Sequence, residues 1–123
     1  MLARSLSFCV TVGLAIGLAP AASAGPYDGL YYPEGQAENW DCQRVGADGG
    51  AISVQDNSFE GVENRCTLTE PVAVRGMNAT LYDAKCNGEG MTYEHRMMLL
   101  SSPPGLTIIR DGYASYFERC PEQ

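Results

Sequence analysis

Four cysteines, Cys42, Cys66, Cys86 and Cys120, are spread through the chain, and no two of them form a C-x2-4-C pair. Structural zinc sites bring their thiolates in such close pairs, so this spacing speaks against zinc. It suits disulfides, provided that the chain reaches an oxidising compartment.

The first residues supply that compartment. Arg4 is followed by the uncharged apolar run Leu6 to Leu18, then by Pro20 and by Ala22-Ser23-Ala24, a small-residue A-x-A site. This is the pattern of a cleaved secretory leader, and it places cleavage after Ala24. As a helix the run would span about 20 Å at 1.5 Å per residue, short of a hydrocarbon core of about 30 Å. No membrane anchor is expected. Cys9 lies inside the run and leaves with it, so residues 25–123 keep an even set of four cysteines as a single disulfide-stapled domain, periplasmic or secreted.

Charge narrows the partners. Residues 25–123 carry 7 basic against 15 acidic side chains, a formal charge of -8. Nucleic acid and anionic membranes require clustered Lys and Arg, so both are poor partners.

Residues 25–123 show no repeat and no linker, only short strand-like runs divided by turn chemistry. Asp48-Gly49-Gly50, Asn87-Gly88 and Asp111-Gly112 tolerate the positive φ of tight hairpins, and Arg75 to Asn78 and Pro103-Pro104-Gly105 mark two further breaks. Between them the sequence predicts strands at Gly29 to Tyr32, Asn39 to Val45, Ala51 to Gln55, Arg65 to Thr69, Val72 to Arg75, Ala79 to Cys86, Met91 to Ser101, Leu106 to Arg110 and Tyr113 to Cys120. Ile52 and Val54 alternate with Ser53 and Gln55, as on a sheet with one buried face. Phe59 to Asn64 and Thr92 to Leu100 are the two stretches with an argument for helix, the second fitting a strand better.

The expected fold is therefore all-β: a small antiparallel meander of seven to nine short strands. Such a meander protects its edges by closing into a barrel, with a two-sheet sandwich as the alternative. Four cysteines allow three connectivities. Cys66 with Cys86 is preferred because the pair brackets one hairpin, and Cys42 with Cys120 because it ties an early strand to the last.

The ordered elements G-L-Y-Y, W-D-C, I-S-V, R-C-T-L, C-N-G-E-G and Y-F-E-R-C resemble those of small four-cysteine exported proteins of Gram-negative bacteria that carry no established activity. The general shape is also similar to lipocalin-like barrels and to periplasmic inhibitor barrels, lysozyme inhibitors among them. The likeness is architectural and implies a small β-barrel. No inhibitory motif transfers residue by residue, and a shared fold does not confer function.

Three constellations carry chemistry. Tyr31, Tyr32 and Trp40 lie near Pro33 and Gly35 and offer apolar area with polar tips, the composition of a contact surface, although the same rings could plug one end of a barrel. On a strand, Met91, Tyr93, His95 and Met97 share a face, and thioether with imidazole suits Cu(I); the plainer reading is methionine filling an irregular core. His95 is the single histidine and the first candidate for an acid or base in a small hydrolase, but neither G-x-S-x-G nor H-E-x-x-H is present. The sequence therefore points to a non-enzymatic exported binding domain with no cofactor. Its partner would be a protein, such as a basic hydrolase that it inhibits, or a small apolar ligand. Cu(I) binding and hydrolysis are the alternatives.

Overall fold

The computed structural model describes residues 10–17 and 25–121. Ala22 to Ala24, where cleavage is expected, lie outside the described residues. Residues 10–17 have no regular secondary structure, and among the described residues no helix is long and apolar enough to cross a membrane.

Nine strands form: β1 (Gly29–Pro33), β2 (Asp41–Val45), β3 (Gly50–Gln55), β4 (Ser58–Gly61), β5 (Asn64–Ala73), β6 (Ala79–Gly88), β7 (Met91–Ser102), β8 (Gly105–Arg110) and β9 (Tyr113–Arg119). Strands β3 to β9 follow one another as an antiparallel meander, and β1 closes it by pairing with β3 on one side and β9 on the other. The result is a closed barrel of eight strands, not a sandwich. Closure leaves no free backbone edge on the barrel itself. The ninth strand, β2, stands outside this ring and pairs with β3 in parallel, the one departure from the antiparallel pattern.

Phe59 to Asn64 is not helical. Phe59 and Gly61 are buried while Ser58 is exposed and Glu60 half-buried, a two-residue period that makes β4 a short barrel strand. The runs Arg65 to Thr69 and Val72 to Arg75 merge into β5, which shifts register between Thr69 and Val72. The hairpin expected at Asn87-Gly88 turns two residues later: Gly88 pairs with Met91, and Glu89 and Gly90 adopt φ of 51° and 75°. Two successive left-handed residues give the turn whose twist matches a two-residue hairpin.

Both disulfides form as the spacing suggested, Cys66–Cys86 directly across β5 and β6, and Cys42–Cys120 between β2 and the end of β9. The core fills the barrel below its mouth. Tyr31, Met97, Leu99, Leu106 and Ile108 are all at most 1% exposed. Outside, Glu60–Arg65, Asp83–Arg96 and Lys85–Glu94 pair across neighbouring strands at 3.1 to 3.9 Å. These exposed pairs hold register and contribute little stability.

Tyr27, Tyr31 and Arg119 close the end where the chain enters. The Tyr31 hydroxyl donates to the Tyr27 carbonyl at 2.6 Å and accepts from Arg119 at 3.1 Å, while the Arg119 guanidinium lies 5.1 Å from the Tyr31 ring centroid and also donates to the Asp28 carbonyl. The Tyr27 hydroxyl bonds Thr80 on β6 at 2.8 Å.

Candidate functional site

Eight strands make an interior just wide enough to be filled by side chains or to hold one small ligand. Here side chains fill one end of the interior and leave the other open. The β4–β5, β6–β7 and β8–β9 turns gather at one end, and beneath them opens a cavity of about 610 Å³.

The walls follow from strand alternation. On β7 the residues Tyr93, His95, Met97 and Leu99 share the inward face, and their burial rises along the strand from 39% exposed at Tyr93 to fully buried at Met97 and Leu99. The polar members therefore line the mouth and the apolar members join the core. Tyr93 and His95 stack with ring centroids 5.9 Å apart and planes within 20°, and Asn64 on β5 donates to the Tyr93 hydroxyl at 3.1 Å. Across the opening, Phe59, Tyr113 and Phe117 supply further aromatic wall, and Trp40, just ahead of β2, adds an indole. Arg110, at the end of β8, holds its guanidinium 5.8 Å from the ring centroids of both Phe59 and Tyr113, within cation–π range.

Two nitrogens stand out. Trp40 Nε1 and His95 Nε2 are shielded from solvent and lack a protein hydrogen-bond partner, and among the described residues they are the only buried side-chain nitrogen or oxygen atoms of which this is true. Leaving such a group unpaired costs about 1–3 kcal/mol. Both belong to residues lining the same cavity. The other ring nitrogen of His95, Nδ1, lies 3.8 Å from Cys86 Sγ. A disulfide sulfur has no hydrogen to give, so a bond there requires the proton on Nδ1, and Nε2 of the neutral ring is then an acceptor. Burial, and then the Arg110 charge, hold the His95 pKa below its ordinary value, which favours that neutral ring.

The residues singled out from the sequence separate here. Trp40 and His95 both line the mouth. Tyr31 is 1% exposed and belongs to the core, so its ring is not part of a contact surface. Its phenol is pushed up by burial, opposed in part by Arg119. Tyr32 is half-buried on the outer face of β1 opposite Glu118, whose hydrogen bond raises the Tyr32 phenol. Met91 is 65% exposed and Met97 fully buried, six residues apart on one strand and so about 20 Å from each other. With His95 they do not converge on one ion. Phe59, Arg110, Tyr113 and Phe117 escaped the sequence reading because they come from separate strands. The one local signal was the β7 face, polar at Tyr93 and His95 and apolar from Met97 onward.

Compared with known protein families, curated proteins and solved structures, the chain matches none.

Proposed function

We propose that this is a non-enzymatic exported domain that binds a small, largely apolar ligand in the mouth of its barrel. The observation that carries the reading is the aromatic cavity of about 610 Å³, whose lining includes Trp40, His95 and Arg110. Its size falls in the range of small-molecule sites, and a mostly apolar wall with a few convergent polar atoms is how such sites orient a ligand. The disulfides and the leader-like first residues support export to the periplasm or beyond. Hydrolysis has less support: among the described residues neither ring nitrogen of His95 bonds a carboxylate or a hydroxyl.

The sole tryptophan, Trp40, reports on the cavity. The neutral dye N-phenyl-1-naphthylamine should brighten with the oxidised domain and accept excitation energy from Trp40, and Phe117→Arg should abolish both signals. Dye that stays dark in the presence of folded domain would rule the reading out.

A second reading is favoured by the formal charge of -7 over the whole chain. A basic hydrolase could meet the rim through Trp40 and Tyr32, since complementary fields speed encounter. Inhibition of a lysozyme panel, lost in Trp40→Ala, would select it over the small ligand.

A further inference from the structure

We infer that the ligand of this cavity is a small planar aromatic acid whose carboxylate is held at Arg110. The inference rests on the ligand-binding reading and adds the chemical class.

Arg110 is the first reason. It is half-buried on the cavity wall, between two aromatic rings, and among the described residues no carboxylate lies within ion-pairing distance of its guanidinium. In a chain with 15 acidic residues against 8 basic, an arginine left without a carboxylate is notable. Arg44, Arg65 and Arg96 each have one, Arg119 is engaged by Tyr31 and Asp28, and Arg75, also without one, is exposed on the β5–β6 turn, so Arg110 is distinguished by being unpaired on a cavity wall. A guanidinium is planar and matches a carboxylate with two parallel hydrogen bonds, and an apolar surround strengthens such a pair. The one acidic side chain on the cavity lining is Asp111, which is exposed on the β8–β9 turn.

The two lone nitrogens are the second reason. Both sit on cavity-lining residues but are closed to a water-sized molecule, so a ligand reaches them only if the rings turn outward; Trp40 Nε1 can then only donate, which suits a carboxylate oxygen. His95 Nε2 accepts when the ring is neutral, so it suits a hydroxyl on the ligand, and it turns donor if the ring takes up a proton. Together with Arg110 on the wall, the cavity thus offers a cation, and once those rings turn a donor and a switchable site, a set that neither a hydrocarbon nor an ammonium ligand satisfies.

The third reason is shape. Tyr93 and His95 present a nearly parallel pair of rings on one wall, and Phe59, Tyr113 and Phe117 stand around the rest of the opening. Aromatic walls favour a flat ring, which stacks or meets them edge to face, over a flexible chain that must lose rotamer freedom to lie there.

The test is calorimetric titration of the oxidised domain with three probes: 2-naphthoate, its neutral isostere 2-naphthamide, and decanoate. The single Trp40 indole N–H resonance serves as a second readout. Naphthoate should bind about tenfold or more tighter than naphthamide, as expected when a charge-assisted bond is lost. It should also outbind decanoate and move the Trp40 resonance. Arg110→Gln should equalise naphthoate and naphthamide, and Arg110→Lys should restore part of the preference. Equal binding of naphthoate and naphthamide to the unmodified domain would overturn the acid and leave the cavity reading standing. Preference for decanoate would overturn the aromatic ring. If none of the three binds and the Trp40 resonance does not move, this inference and the ligand-binding reading fall together.

Discussion

Nδ1 of His95 lies 3.8 Å from Sγ of Cys86, so the one histidine of the chain is braced against the Cys66–Cys86 bridge and not against a carboxylate. The contact joins β7 to the bridge between β5 and β6, and it is made by a ring that forms part of the cavity wall.

That placement predicts a direction of pH dependence. Burial first, then Arg110, depress the His95 pKa from its ordinary 6.5. Above that value the ring is neutral in both folded and unfolded chains and contributes no difference. As pH falls through it, the unfolded chain takes up a proton that the folded chain resists, so stability declines between the unfolded pKa and the lower folded one. Urea unfolding at pH 7.5 and 5.5 should show this fall, and His95→Gln should reduce it. An unchanged pH profile in the variant would show that His95 is not its source.

The two bridges should differ in worth. With a sequence separation of 78, Cys42–Cys120 removes about 4.5 kcal/mol of unfolded-state entropy, against about 3.3 kcal/mol for Cys66–Cys86 with a separation of 20. The shorter loop is nested in the longer, so the two effects will not add fully. Paired Cys→Ala variants compared by urea midpoint should rank the Cys42–Cys120 loss as the larger.

Tyr31→Phe isolates the closed end. It removes the hydroxyl that links the Tyr27 carbonyl to Arg119 but keeps the ring beneath the guanidinium. The expected loss is about 1–2 kcal/mol, from one buried bond and a carbonyl left without its donor. Ligand binding at the mouth should persist, which would separate Tyr31 from the site.

Leu99→Ala should cost about 2–5 kcal/mol, because Leu99 is fully buried between neighbours that cannot all move in. Gly105→Ala should also destabilise, since a Cβ there would collide with the Phe117 carbonyl of the paired strand, whose backbone cannot swing aside. Thermal unfolding of both variants checks these expectations.

The strands were legible wherever a turn residue and an alternating run coincided, as at Ile52 to Val54 and from Leu106 to the Asp111-Gly112 turn. β4 was harder because four residues are too few to display a period, and Gly61 faces inward without an apolar side chain to mark it. The hairpin at Glu89-Gly90 was displaced because Asn87-Gly88 carries the stronger turn chemistry, yet the pairing of Cys86 with Cys66 and Tyr93 fixes the register around it. The cavity was least legible. His95 and Trp40 were visible as oddities, but Phe59, Arg110 and Tyr113 join them only when three hairpins are brought to one end, and no local pattern encodes that meeting.

The seam of the barrel gives the molecule a polarity. β1 runs from Gly29 towards Pro33 at the mouth, and β9 runs back from Tyr113 to Arg119 beside it, with the Cys120 amide bonded to the Leu30 carbonyl. The polypeptide therefore enters and leaves at the sealed end, and its opening looks the other way. A domain held next to Gly29 or Cys120 would stand like a cup on its base, its opening turned away from the point of attachment.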